Sequence, residues 1–175
     1  MEDCKEWRLA KPLQQELYMR IFPKPSLVLL TLALAGGAFA AGHISEDTAR
    51  AMEARQSHMT LYSFNLATVG GMAQDKIPYD AAMAASAAGN LAALASVDQS
   101  AYWVEGSDNT VEGSKALPVI WTDMAGFEAK QQELATATTA LAAAAGDGLD
   151  ALKGAFGPVG QTCGGCHRTY REPNN

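Results

Sequence analysis

Residues Cys163-Gly164-Gly165-Cys166-His167, close to the C-terminus, form the stretch around which the rest of the chain is organised. This C-x-x-C-H pentad is the attachment signature of c-type haem, in which two thiols add to the two vinyl groups of the porphyrin. The histidine after the second cysteine then offers an imidazole nitrogen to the iron. On a helix the residues at i, i+3 and i+4 share one face, so Cys163, Cys166 and His167 are expected to face the same haem.

The pentad is also compatible with half of a zinc site, with a dithiol redox pair and with a chance occurrence. A structural zinc site needs four ligands, but the remaining histidines, His43 and His58, lie far away in the sequence and form no ligand-like pair. A dithiol pair is typical of a strand followed by a helix, and that context is absent here. We therefore favour one covalently bound haem c per chain.

The first 40 residues are predicted to be a signal peptide rather than part of the fold. An apolar run at 26–39 follows two basic residues, is too short to span a bilayer comfortably, and ends in an A-x-A cleavage site. We expect cleavage after Ala40 and one exported haem domain at 41–175; the alternative is an uncleaved membrane anchor. Because the charged stretch before Met19 is unlike a normal signal-peptide start, Met19 is a candidate translation start.

The composition excludes one class of partner and favours others. The whole chain carries a net charge of −6 at pH 7, and the predicted mature part has more Asp and Glu than Lys and Arg. An acidic surface argues against nucleic-acid binding and is compatible with small ligands or basic redox partner proteins. Export and covalent haem together predict a periplasmic protein with no stable membrane insertion after signal cleavage.

Abundant alanine and apolar residues spaced three and four apart predict an all-α protein. Met83 is expected to face inward from the second helix, and Pro158 to kink the last. A long connection rich in Gly, Ser and Asp follows the second helix, which predicts an antiparallel four-helix bundle with one crossover and a haem near its C-terminus. The predicted helices are 45–73, 79–97, 119–145 and 149–171.

A C-terminal haem motif on a four-helix bundle resembles the cytochrome c′ family, the class II c-type cytochromes. The likeness covers 41–170 and rests on matching segments in the same order and spacing. These segments are Arg55-Gln56, Ile77-Pro78-Tyr79-Asp80, Pro118-Val119-Ile120-Trp121, Cys163 to His167, and Tyr170-Arg171. The resemblance implies one enclosed haem c, an often five-coordinate iron that binds nitric oxide and carbon monoxide, and frequent homodimers through the first two helices.

The resemblance also implies roles for three residues of the first helix. Arg55 and Gln56 are placed at a haem propionate, which agrees with the cost of burying an unpaired guanidinium; the alternative for Arg55 is the surface edge of the apolar stripe. Met59 is placed over the open side of the iron, opposite the axial ligand His167. A methionine at this spacing is also typical of an ordinary core residue. The two interpretations agree here, because packing over the iron would itself be the functional role.

Four further residues are candidates for the haem pocket, and one histidine is expected to lie outside it. Trp121 and Phe127 are either haem-wall residues or ordinary core. Tyr170 and Arg171 either tune the proximal imidazole or serve as a packing residue and a cation favoured at a helix C-terminus. His58 points about a hundred degrees away from Met59 on a helix, at about 100° per residue, and is expected at the surface.

Three function classes remain. The first is a gas-binding protein with a five-coordinate, histidine-ligated iron, and the second is a low-spin electron carrier with Met59 as the sixth ligand. The third is a haem enzyme such as a peroxidase. We do not expect an enzyme, because the sequence places no histidine and arginine pair beside Met59 to cleave a peroxide bond. We favour the first class, and so apolar a pocket predicts weak binding of dioxygen.

Overall fold

The computed structural model describes residues 44–173, so the predicted signal peptide and His43 lie outside the described residues. Four long helices and one short helix follow one another: α1 (Glu46–Ala73), α2 (Ala81–Ala95), α3 (Val119–Thr122), α4 (Met124–Ala144) and α5 (Leu149–Tyr170). The long helices form a closed ring in which α1 packs on α2, α2 on α4, α4 on α5, and α5 on α1. The predicted all-α four-helix bundle is confirmed.

Side-chain caps set the first two helix starts. Ser45 Oγ accepts a hydrogen bond from Thr48 N at 3.1 Å, and Asp80 Oδ1 accepts one from Met83 N at 2.8 Å. Such caps satisfy N–H groups that have no partner within the helix. Because Asp80 is itself the cap, α2 starts two residues later than predicted, at Ala81.

The predicted third helix is wrong in one respect, since Asp123 divides it into α3 and α4. The backbone of Asp123, with φ −134° and ψ 50°, lies outside the helical region. Its carboxylate caps α4 by accepting from Gly126 N at 3.2 Å, and it also accepts from the Tyr170 hydroxyl at 2.7 Å. The break therefore ties the start of α4 to the end of α5.

Gly126 leaves no room for a side chain beside this carboxylate. A Cβ atom at Gly126 would overlap the Asp123 carboxylate and lie 2.7 Å from the Tyr170 hydroxyl oxygen. Gly126→Ala should therefore lower the free energy of unfolding by about 1–3 kcal/mol. Gly154→Ala is the matched control: this exposed helical glycine has no neighbour within 4 Å, and alanine there should add about 0.5–1 kcal/mol. Equal melting temperatures for the two variants would contradict the argument.

Small side chains make up much of what α2 and α4, which pack on each other, contribute to the hydrophobic core. The buried core residues include Ala84, Ala88 and Leu91 from α2, and Ala137 and Leu141 from α4. Side-chain size sets the distance between packed helices, so alanine allows close approach. The prediction that Met83 faces inward is wrong: it is exposed, because α2 buries the alanines beside it instead.

The crossover, residues 96–118, folds back onto the end of α5. Leu117 N donates to Tyr170 O at 2.9 Å, and Glu172 N donates to Lys115 O at 2.8 Å. Together with the isolated antiparallel bridge between Ala116 and Arg171, these hydrogen bonds hold in place the residues that follow the pentad.

Helix α5 is continuous through Pro158 and carries the pentad in its last turns. Proline removes one backbone donor, yet the helix neither ends nor restarts at this residue. Within residues 44–173, every helix is too short or too polar to cross a membrane.

Candidate haem site

The end of α5 brings the functional side chains of the pentad to one cavity. Cys163 and Cys166 are half-buried free thiols, and both line the cavity together with His167. Burial raises the pKa of both thiols, that of Cys166 to about 11, so both are protonated at neutral pH. Burial and the nearby charge of Arg171 lower the pKa of His167, which favours the neutral imidazole that binds metals.

This cavity has a volume of about 630 Å³, within the range of about 300–1,000 Å³ typical of cofactor sites. Its wall comes from α1, the end of α2, the crossover, α3, α4 and α5. All six residues predicted to hold the haem or its iron line it: Arg55, Gln56, Met59, Cys163, Cys166 and His167. Their individual roles towards the haem stay predictions.

Arg55 is only 5% exposed, and its guanidinium is surrounded by the crossover. It donates to Ser107 Oγ at 2.8 Å, to Ser114 Oγ at 2.9 Å, and to the main-chain oxygens of Ser107 and Tyr102. It also lies 5.1 Å from the centre of the Trp103 ring. The alternative of a surface arginine is wrong. We expected an anion to compensate the buried positive charge, but neutral oxygens already accept the hydrogen bonds of the guanidinium. A contact between Arg55 and a propionate stays a prediction.

The next two predicted residues of α1 are less buried. Gln56 is exposed, and its Nε2 donates to Gly113 O at 2.9 Å, which gives α1 a second tie to the crossover. Met59 is 39% exposed and lines the cavity. Met59 is therefore a residue of the cavity wall and not an ordinary core methionine.

The aromatic candidates have different surroundings. Phe127 is buried, lines the cavity, and packs edge-on against Trp103 and Tyr170 at centroid distances of 4.5 and 5.2 Å. Trp121 is not part of the cavity wall; its Nε1 donates to Trp103 O at 3.0 Å. The hydrogen bond to Asp123 raises the pKa of Tyr170 to about 12. Trp121 therefore belongs to the packing, whereas Phe127 and Tyr170 also shape the cavity.

The prediction that His58 lies at the surface is wrong. Its side chain is 5% exposed and packs against the rings of Tyr62, at 4.8 Å, and Tyr102, at 5.9 Å. The prediction assumed that α1 buries one apolar stripe only. The helix is buried on a wider face, because it packs against the crossover as well as against α2 and α5. Burial lowers the pKa of His58, so the ring is neutral at pH 7.

Three polar atoms of the cavity wall are buried donors that sequence reasoning did not identify as unpaired, although it named Arg171 as a candidate. These atoms, Tyr62 Oη, Trp103 Nε1 and Arg171 Nε, are buried and have no hydrogen-bond partner within the described residues. Buried polar groups in native proteins are nearly always paired. A bound group that carries acceptors is thus expected in the cavity, and these donors, two thiols and one imidazole fit a haem.

A zinc site gains no support from the described part of the chain. Between residues 44 and 173, no three His, Cys, Asp or Glu side chains come together as potential ligands. The four ligands of a structural zinc site are therefore not assembled around the pentad.

Comparison with known proteins gives one consistent result. The family model described as Cytochrome C′ matches residues 50–171. Cytochrome c-554 of Cereibacter sphaeroides is 43% identical over 124 residues, which cover 70% of this chain and 93% of that protein. A cytochrome c′ of the same species is 37% identical over 145 residues, 82% of this chain and 96% of that protein. The solved structure of a cytochrome c′ from Rhodobacter Spheriodes matches with a TM-score of 0.71 at 35% identity, covering 73% and 98% of the two chains.

A four-helix bundle with a haem-attachment pentad on its last helix defines a class II c-type cytochrome. The chain belongs to the cytochrome c′ family. Its cofactor is haem c, attached covalently, so both the resemblance and the cofactor prediction are confirmed. When bound, haem c supplies an iron that changes oxidation state and accepts axial ligands.

Proposed function

We propose that this c-type haem protein binds nitric oxide and carbon monoxide at a five-coordinate iron, passes single electrons, or does both. The observation that carries the proposal is that Met59 and His167, from different helices, line one cavity with both thiols. Among structural relatives, cytochrome c prime of Alcaligenes xylosoxidans is known as a nitric oxide complex of one variant and in a carbon monoxide-bound form of another. The net charge of −6 suits basic redox partners.

The proposed roles follow from position in the cavity. Cys163 and Cys166 form the two thioethers, and His167 gives its imidazole nitrogen to the iron. Met59 covers the remaining axial side. Methionine is unbranched and flexible, so its side chain can move aside for a small ligand. The alternative, in which the Met59 thioether is the sixth ligand of a low-spin electron carrier, places Met59 on the same axial side.

Met59→Ala tests the proposal. A smaller side chain crowds the sixth site less, so carbon monoxide should bind about tenfold more tightly and also faster, while the spectrum of the ligand-free ferrous protein stays nearly unchanged. Flash photolysis and absorption spectra measure both effects. Met83→Ala, which removes an exposed methionine outside the cavity wall, is the control and should change neither.

The two function classes predict opposite spectra for the same variant. A low-spin wild-type protein that becomes high-spin in Met59→Ala would make Met59 a ligand. That outcome would reject the five-coordinate proposal in favour of the electron carrier.

We also propose export to the periplasm with cleavage after Ala40. The support is the signal-peptide pattern together with membership of the cytochrome c′ family. The intact mass of protein recovered from the periplasm should correspond to a chain that begins at Ala41. A mass that includes residues 1–40 or 19–40 would instead indicate a retained anchor.

A homodimer through α1 and α2 is a further part of the proposal. Leu61 and Phe64 on α1 and Met83 on α2 are exposed, Phe64 at 72%. Large exposed apolar side chains mark interaction surfaces when they cluster. One structural relative is a cytochrome c′ with a ligand-controlled dimer dissociation.

Phe64→Glu should separate the dimer without altering the haem. Introducing a charge at both copies of the residue should raise the dimer dissociation constant by at least about thirtyfold, as measured by analytical ultracentrifugation. Val104→Glu, an equally drastic change at an exposed residue of the crossover, should have no such effect. A wild-type protein that is monomeric, or a Phe64→Glu variant that remains dimeric, would contradict the proposed dimer interface.

A further inference from the structure

One phenol in the wall of the haem cavity is buried without a partner. Tyr62 lies on α1, is 6% exposed, and lines the cavity. No group within residues 44–173 meets the distance and angle of a hydrogen bond to its buried hydroxyl. Although burial raises the pKa of the phenol, the Gln99 side chain is close enough to lower that pKa in part, as a donor to its oxygen does, and leaves the hydroxyl proton unpaired. An unsatisfied buried hydroxyl is costly, so the molecule that the cavity binds is the natural partner for this group.

The place of Tyr62 on α1 is informative. It follows Met59 by three residues, so the two side chains are neighbours on one helix face, and both line the cavity. His58 packs edge-on against the Tyr62 ring, with 4.8 Å between ring centroids, and thereby limits its rotation. Burial raises the pKa of Tyr62 to about 12, so at neutral pH the hydroxyl keeps its proton and can donate it in a hydrogen bond.

A haem propionate is a poorer partner for this hydroxyl. The cationic and amide wall residues of α1, Arg55 and Gln56, lie about 9–10.5 Å along the helix axis from Tyr62, at about 1.5 Å per residue. The cavity-wall residues that share the core cluster of Tyr62 are apolar or sulfur-containing: Leu66, Ala95, Leu134 and Cys163. Its polar neighbours, Gln99 and His58, carry no charge at neutral pH. Carboxylates are stabilised by charged donors, and the charged donor of α1, Arg55, lies at the other end of this helix face.

We propose that Tyr62 determines ligand specificity by donating a hydrogen bond to a diatomic ligand at the haem iron. The inference rests on the proposed gas-binding function. Ligands whose outer atom gains negative charge on binding benefit most from such a donor. The cavity beside Met59 is thus less apolar than its sequence predicted, and weak dioxygen binding no longer follows from its composition.

Tyr62→Phe removes only the hydroxyl and leaves the ring in place. In the carbon monoxide complex of the ferrous protein, loss of a donor should raise the C–O stretching frequency in the infrared spectrum. The carbon monoxide dissociation rate should rise about two- to tenfold, as expected for one net hydrogen bond.

Tyr79→Phe is the matched control. The Tyr79 hydroxyl donates to Ala145 O at 2.9 Å and accepts from Gly148 N at 3.0 Å, and Tyr79 is not part of the cavity wall. This variant loses a phenol hydroxyl of similar chemistry, so its stability should fall while the C–O stretch and the dissociation rate stay at the wild-type values.

The outcomes separate the inference from the function on which it rests. If the wild type binds carbon monoxide and Tyr62→Phe has the same stretch and rate, the hydrogen bond is absent and gas binding stands. If both tyrosine variants shift equally, the effect is general destabilisation, and the inference is overturned. A wild-type protein that takes up no carbon monoxide overturns the proposed function and the role of Tyr62 together.

Discussion

Replacing Cys163 and Cys166 together by alanine is expected to leave haem extractable by acidified organic solvent, whereas the unsubstituted protein retains it. Both thiols line the same cavity as His167, and without them neither thioether can form. The imidazole and the cavity wall remain, so the double variant should still take up haem, but without a covalent bond. Absorbance of the organic phase and of the precipitated protein gives the partition directly.

The single variants Cys163→Ala and Cys166→Ala are the controls for this experiment. Each keeps one thiol, so each should keep one thioether and hold haem through extraction. Haem that stays with the doubly substituted protein would mean that attachment occurs elsewhere. Haem that leaves either single variant would mean that one thioether is insufficient.

Arg55→Leu should cause a large loss of stability. The guanidinium makes four hydrogen bonds to the crossover. Leucine removes all four and leaves Ser107 Oγ buried without a donor, whereas Ser107 O still accepts from Ser114 Oγ and Ser114 Oγ still accepts from Ala116 N. Loss of a hydrogen bond to a charged group, or of the donor to a buried acceptor, lowers the free energy of unfolding by about 1–3 kcal/mol. We expect the free energy of unfolding to fall by about 3 kcal/mol, measured by denaturant titration of the holoprotein.

Gln56→Ala is the matched control, since Gln56 is the next residue and also binds the crossover, but from an exposed position. It should cost less than about 1 kcal/mol. Hydrogen exchange adds a local measurement: amides of the crossover should exchange faster in Arg55→Leu and little faster in Gln56→Ala. An unchanged melting temperature for Arg55→Leu would place its guanidinium in water.

The helices of this bundle were predictable because their signals are local. Ser45 marks the start of α1, and apolar spacing of three and four continues through each long helix. The break at Asp123 was not predictable, because it depends on Tyr170, which lies 47 residues further along the chain. Spacing of apolar residues is the same on both sides of such a break.

In the haem site too, features set by local sequence were predictable and features set by tertiary contacts were not. The pentad carries its chemistry in five consecutive residues, and Arg55, Gln56 and Met59 followed from resemblance to a family. The partners of Arg55 are serines of an irregular crossover, whose path is set by tertiary contacts and not by periodicity. Tyr62 follows Met59 at the three-residue spacing of one helix face, yet its unpaired hydroxyl could be recognised only once its surroundings were known.

The alanine-rich core around α2 and α4 makes the interior of the bundle mechanically different from its cavity wall. Alanine has no rotamers and loses no side-chain entropy on folding, so the alanine part of this core cannot change shape by rotation of side chains. The cavity wall instead carries long side chains from both α1 and α4, among them Met59, Lys130 and Gln131, and the Met59 side chain has three rotatable bonds. The bundle therefore joins a stiff interior to an adaptable cavity wall, and ligand size should be sensed by the side chains of that wall.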